Sequence, residues 1–183
     1  QTLNEWAFAT KDSFDVLCVC SDKTVGKRDK EDMALGEAPF SVTSNLTEIS
    51  DFLSGDGHKV IFCTYQSSDL IADVQSDKSI QAFDLVIADE AHRCSGKSDA
   101  AFSKVLDGEA IRATKRLFTT ATPRLYSSSV KKAAADRGVE VYGMDDEAVF
   151  GPVLHTLTFG QAIIEDLLND YQVVIVGVDK PMI

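Results

Sequence analysis

Two short strings in this chain hold residue types that suit chemistry on a phosphate. Asp89-Glu90-Ala91-His92 closes the apolar run Leu85-Val86-Ile87-Ala88, and Thr120-Ala121-Thr122-Pro123-Arg124 closes the run Arg116-Leu117-Phe118-Thr119. Adjacent carboxylates at the end of a buried strand supply one oxygen donor for a magnesium shell and a second group to handle a proton. In α/β folds, ligands gather at the carboxyl ends of the strands. The hydroxyls of Thr120 and Thr122 each donate and accept, which suits a relay. Pro123 stiffens the exit from the strand, and Arg124 offers a guanidinium to a carboxylate or a phosphate. A surface turn that merely caps a following helix would also place Asp89 or Glu90 after a strand, but it would not call for the second string.

A third strand-like run, Val60-Ile61-Phe62-Cys63, leads into Thr64-Tyr65-Gln66-Ser67. Small hydroxyl and amide groups at a helix start can meet phosphate oxygens, and Tyr65 can stack or pack. By itself this is a strand followed by an N-cap serine, a commonplace arrangement. Val19-Cys20-Ser21-Asp22-Lys23 ends a strand in a similar way with a weaker signal.

These residues need an α/β scaffold, and the patterning provides one. Apolar β-branched runs alternate with helical periods, the signature of a largely parallel sheet. Strands are predicted at 14–20, 59–63, 83–88, 115–120, 139–142, 153–158 and 171–178. Helices are predicted at 1–9, 46–54, 68–75, 99–107, 128–137 and 159–169, with Asn45 or Thr47, Ser67 and Ser98 as caps. Residues 21–43 lack a period and are predicted to be a long mobile loop; residues 92–98 form a second loop beside the carboxylates. Asp89, Glu90 and Thr120 are then expected to converge at one edge of the sheet.

In this order the strings resemble motif II, of the DEAH type, and motif III of superfamily 2 helicases and translocases. The run Phe159-Gly160-Gln161-Ala162-Ile163 to Tyr171, together with the opening Gln1-Thr2-Leu3-Asn4-Glu5-Trp6 helix, resembles the restriction-enzyme-like branch, the type III restriction subunits in particular. The resemblance implies a RecA-like lobe: three layers, a largely parallel sheet with helices on both faces. It implies that residues 1–178 are a partial first motor lobe and that 179–183 begin a linker to a second. Asp89 would hold Mg²⁺, typically through water; Glu90 would position or deprotonate the attacking water; His92 would couple the site to Thr120 and Thr122. Thr64, Tyr65, Gln66, Ser67 and Arg124 would meet nucleic acid, DNA in preference to RNA. The implied cofactors are Mg²⁺ and ATP in an intact protein; the implied partners are a second lobe and an attached nuclease or specificity module.

The loop G-x-x-x-x-G-K-[ST], which cradles nucleotide phosphates, is absent from the 183 residues. The chain alone is therefore expected to be inert and to bind no cofactor tightly, as an excised piece of a longer enzyme. The other reading is a motor-like lobe that does not hydrolyse and serves as a binding module. The paired carboxylates argue against it, and a phosphate loop in the coding sequence upstream would decide.

Composition sets outer bounds. A hydrophobic share of 44% and a charged share of 26% are ordinary for a globular domain. No apolar run reaches the ~20 residues of a membrane span, so no membrane partner is expected and the cytoplasm is the expected compartment. The net charge of −11 opposes attraction of a polyanion to the surface as a whole. Basic residues cluster locally at Lys23, Lys27, Arg28 and Lys30, and at Arg112, Lys115 and Arg116. The four cysteines lack the paired spacing of a zinc site and read as buried, reduced thiols. His58 and His155 join no constellation.

Overall fold

The parallel strands form where β-branched and apolar residues run together. In the computed structural model, which describes residues 14–20, 41–97, 101–170 and 172, β1 (Asp15–Val19) lies between β2 (Ser41–Thr43) and β3 (Lys59–Cys63). Both pairings are parallel, with Val19 opposite Thr43 on one side and Cys63 on the other. A second parallel pair joins β4 (Phe83–Ala88) to β6 (Ala113–Phe118), with Ala88 opposite Phe118. The short β5 (Gly96–Lys97) and β7 (Val141–Tyr142) pair antiparallel.

Two helices cover the first sheet. Asn45 opens α1 (Leu46–Ser54), its side chain accepting from the Thr47 amide at 2.9 Å. This satisfies one of the orphan donors at a helix start. The next helix, α2 (Ser68–Gln75), follows a 3₁₀ turn at Tyr65–Ser67. Ile49 of α1 and Ile71 and Val74 of α2 meet Leu17 and Val19 of β1 in one core, with Ile80 and Ile111. Ile49 is fully buried, a burial that contributes about 1.5–3 kcal/mol. A second cluster of Ala88, Ala91, Cys94 and Val105, backed by Tyr65, Phe118, Met144 and Phe150, lies under the ends of β4 and β6.

The chain divides into two compact units, Gln1–Phe150 and Gly151–Ile183. In the second, residues 151–158 form neither helix nor strand, and α5 (Phe159–Ile164) begins at Thr158, whose hydroxyl accepts from the Gln161 amide. Two further helices in the first unit are α3 (Ser128–Ala135) and the single turn α4 (Glu147–Phe150).

Several expectations are corrected. Residues 153–158 alternate like a strand but form none, because no partner strand lies beside them among the described residues; a strand without a ladder leaves its backbone groups to water. The helix expected at 99–107 is a 3₁₀ helix, Ala101–Leu106. Its last turn has an outside partner, since Arg116 Nε donates to the Val105 carbonyl, and the chain just beyond turns away where Asp107 Oδ1 accepts from the Glu109 and Ala110 amides. The helix expected to reach 169 stops at Ile164, where Asp166 takes φ 56° and Leu167 donates back to the Ala162 carbonyl. The end of the expected 21–43 loop is β2, recruited by pairing with β1. The predicted strand 115–120 begins and ends two residues early, at Ala113–Phe118. The predicted helix 1–9, most of the 21–43 loop with its basic cluster, the Ser98 cap, the strand at 171–178 and the 179–183 linker lie outside the described residues.

The thiols also differ from expectation. Cys94 is buried, Cys18 is half-buried, and Cys63 at the open end of β3 is exposed. Among the described residues no helix is long and apolar enough to cross a membrane.

Candidate active site

Parallel pairing of β4 with β6 in the register Ala88 to Phe118 puts the next residues, Asp89 and Thr119, side by side at the carboxyl ends. The ladder continues past the strands: the Thr119 amide donates to the Ala88 carbonyl at 3.0 Å and the Ala91 amide to the Thr119 carbonyl at 2.9 Å. Between those two bonds Glu90 adopts φ 52°, ψ 42°, the left-handed region. A non-glycine residue held there costs of order 1 kcal/mol or more and persists only where its surroundings over-determine it. The bend starts the 3₁₀ turn Ala91–Arg93 and drops Ala91, with no exposed surface, into the second core cluster. Only a small side chain fits under the turn.

The polar groups then converge. Asp89 Oδ1 accepts from Thr119 Oγ1 at 2.9 Å and from the Glu90 amide at 3.0 Å. Its backbone carbonyl accepts the Tyr65 hydroxyl at 2.6 Å. His92 Nδ1 lies 3.0 Å from Thr120 Oγ1, 3.4 Å from Thr122 Oγ1 and 3.2 Å from Glu90 Oε2. One ring nitrogen cannot serve three partners at once. A contact with the Glu90 carboxylate requires a proton on Nδ1, whereas Thr120 can either accept from that nitrogen or donate to it. Thr120 Oγ1 also accepts from the Thr122 amide at 3.1 Å, which ties the two threonines together. The imidazole is thus a junction between the Glu90 carboxylate and the threonine loop.

The oxygens present suit a hard cation. Asp89 and Glu90 are both exposed and offer carboxylate oxygens, the ligands Mg²⁺ prefers. No cluster of three or more metal-ligating residues occurs among the described residues. Asp89 is the residue that would hold a Mg²⁺ here.

The third segment is placed in contact with this site, partly against expectation. Tyr65 packs rather than stacks: its ring meets Phe102 edge-on at 5.7 Å and its hydroxyl is committed to Asp89. Burial, with a hydrogen bond to the Cys94 thiol beside it, raises the phenol well above its ordinary range and keeps it a donor. Ser67 is 1% exposed and its hydroxyl receives that of Thr64 at 3.0 Å, so its side chain is withdrawn from any phosphate. Thr64 and Gln66 remain exposed, as does the Arg124 side chain. Arg112 and Arg116 are structural: Arg112 Nη2 donates to the carbonyls of Gln75, Asp77 and Ile80, and Arg116 to those of Val105 and Ile111.

Sequence reasoning missed Thr119. The available signal was a hydroxyl residue closing an otherwise apolar run, at the position that parallel register sets opposite Asp89.

A parallel α/β lobe with carboxylates, imidazole and hydroxyls joined across two adjacent strand ends defines a RecA-like lobe of the superfamily 2 helicase class. The chain belongs to the family of the type III restriction enzyme res subunit, whose pattern matches residues 2–125. It is 28% identical over 167 residues to the probable helicase A859L of African swine fever virus (isolate Tick/Malawi/Lil 20-1/1983), a match covering 91% of this chain and 16% of that protein. The fold is similar to that of a nuclease-deletion mutant of the Type ISP restriction-modification enzyme LlaGI, solved with a DNA substrate mimic. That match has a TM-score of 0.65 and 32% identity, covering 93% of this chain and 13% of the other. The ATP-dependent Type ISP restriction-modification enzyme LlaBIII, bound to DNA, matches at TM-score 0.65 and 34% identity over 94% of this chain and 12% of its own. The chain thus spans less than a fifth of the length of each of these relatives.

Proposed function

We propose that this chain supplies the metal- and water-handling part of the first motor lobe of an ATP-dependent DNA translocase or helicase. Residues 1–178 form that partial lobe and 179–183 lead toward a second. In the intact protein Asp89 would hold Mg²⁺, which would supply charge neutralisation at the phosphates, and Glu90 would position the attacking water and take its proton. His92 passes the state of that site to Thr120 and Thr122, which respond to the opposing lobe. The observation that carries this reading is the contact of His92 Nδ1 with both Glu90 and Thr120. A carboxylate that only capped a helix would have no such partner on the neighbouring strand.

Nucleic acid is met by Thr64, Gln66 and Arg124, the exposed members of the candidate set, and the DNA named with the Type ISP relatives supports DNA over RNA. The test is made on the intact protein. Glu90→Gln keeps shape and hydrogen bonding but removes the basic carboxylate, and it should lower DNA-stimulated ATP hydrolysis by ~10²–10⁴ while nucleotide affinity holds. An unchanged rate would reject Glu90 as the water-handling group.

A further inference from the structure

The two oxygens of Asp89 are in unequal surroundings. Oδ1 accepts two hydrogen bonds, from Thr119 Oγ1 at 2.9 Å and from the Glu90 amide at 3.0 Å. Oδ2 has no hydrogen-bond partner among the described residues. Thr119 is itself fixed by the backbone bonds to Ala88 and Ala91 at 3.0 and 2.9 Å, so its hydroxyl is presented from a rigid strand end. The Tyr65 hydroxyl holds the Asp89 carbonyl at 2.6 Å from the other side. The carboxylate is therefore aimed before anything binds.

We propose that Thr119 is a positioning residue for the metal site: its hydroxyl pins Oδ1 and turns Oδ2 toward the Mg²⁺ water shell. The inference rests on the reading of Asp89 as the metal-holding carboxylate. Thr119 does not touch the metal, the nucleotide or the attacking water. It acts by removing the freedom of the Asp89 carboxylate to rotate, as partners behind metal-holding groups generally do. It is distinct from Thr120 and Thr122, which face His92.

The test uses the intact protein with Mn²⁺ as the probe, titrated in the presence of a non-hydrolysable ATP analogue and followed by the electron paramagnetic resonance of free Mn²⁺. Thr119→Val keeps the branched shape and removes the hydroxyl; Thr119→Ser keeps the hydroxyl and removes the methyl. Thr119→Val should weaken Mn²⁺ about 10-fold, the low end of the range for losing a supporting partner, and Thr119→Ser should restore wild-type affinity. The Mg²⁺ concentration for half-maximal ATPase should rise with the Val variant, while the rate at saturating Mg²⁺ stays near wild type. Equal weakening by Val and Ser would overturn the hydrogen-bond role in favour of methyl packing. Asp89→Asn separates the two levels of the argument. If it weakens Mn²⁺ while Thr119→Val does not, the Thr119 proposal fails alone. If Asp89→Asn also has no effect, the metal reading of Asp89 fails and takes the proposal with it.

Discussion

At the residue scale, the proposed separation of chemistry from coupling rests on the bonds of one imidazole. Glu90 and the threonine pair reach the same His92 nitrogen, at 3.2 Å for Glu90 and 3.0 Å for Thr120. Replacing Thr120 and Thr122 with Ala leaves Asp89, Glu90 and their backbone supports in place. ATP hydrolysis in the intact protein should then survive better than strand movement, whereas Glu90→Gln should abolish both. Parallel ATPase and translocation assays check this; a threonine variant as dead in hydrolysis as Glu90→Gln would remove the coupling role. The neighbouring thiol gives a second prediction. Cys94 is 2% exposed, and burial raises its pKa, against smaller lowering contributions from Tyr65 and Arg93. The reactive species is the thiolate, so at pH 8 the folded chain should alkylate at Cys94 far more slowly than the urea-unfolded chain. Peptide mass mapping after a timed iodoacetamide pulse reads the difference, and equal rates would show that the second core cluster opens readily.

At the element scale, the decisive joint lies between the end of α2 and the start of β6. Gln75 is fully buried; its Oε1 accepts from the Arg112 amide at 2.7 Å and its Nε2 donates to the Gln81 and Arg112 carbonyls at 3.1 and 3.3 Å. Arg112 returns a bond to the Gln75 carbonyl at 3.0 Å. A buried amide that satisfies three backbone groups is costly to remove, because each orphaned group keeps its desolvation penalty. Gln75→Ala should destabilise the chain by about 2–4 kcal/mol, combining unsatisfied groups and a cavity. Urea unfolding measures it; a loss under half of that would show water entering to replace the amide. Among the elements themselves, β1, β3, β4, α1 and α2 were legible in the sequence, because their apolar period and the Asn45 cap are local signals. The 3₁₀ helix Ala101–Leu106 was not: the Arg116 side chain that captures the Val105 carbonyl comes from another strand. The strand expected at 153–158 failed for the complementary reason, since a good strand pattern has no value without a neighbour to pair with.

At the scale of the whole molecule, the proposed nucleotide binding would rest on a phosphate loop that these 183 residues do not include. Its sequence has no phosphate loop, and phosphate affinity in such sites comes chiefly from that loop's backbone amides and lysine. Calorimetric titration of the isolated chain with millimolar Mg-ATP should show no saturable heat and no turnover. Tight binding would mean that the nucleotide site lies elsewhere in the fold. The sheet tells a parallel story. Leu85 and Ile87 on β4 are 49% and 41% exposed although they lie in the apolar run that leads to Asp89 and Glu90. A run of that composition normally has both faces covered.

The sequence by itself determined the α/β class, the helicase-type family and the candidate residues Asp89, Glu90, His92, Thr120 and Thr122, because an apolar run that stops in a polar string is a local pattern. Only the tertiary structure decided which hydroxyl meets which carboxylate, because that depends on the parallel register of β4 against β6, which no local pattern encodes. Register placed Thr119 opposite Asp89 and left Thr120 and Thr122 to His92. Long-range packing likewise drew Tyr65 inward to the Asp89 carbonyl and buried Ser67, while Thr64 and Gln66 stayed at the surface.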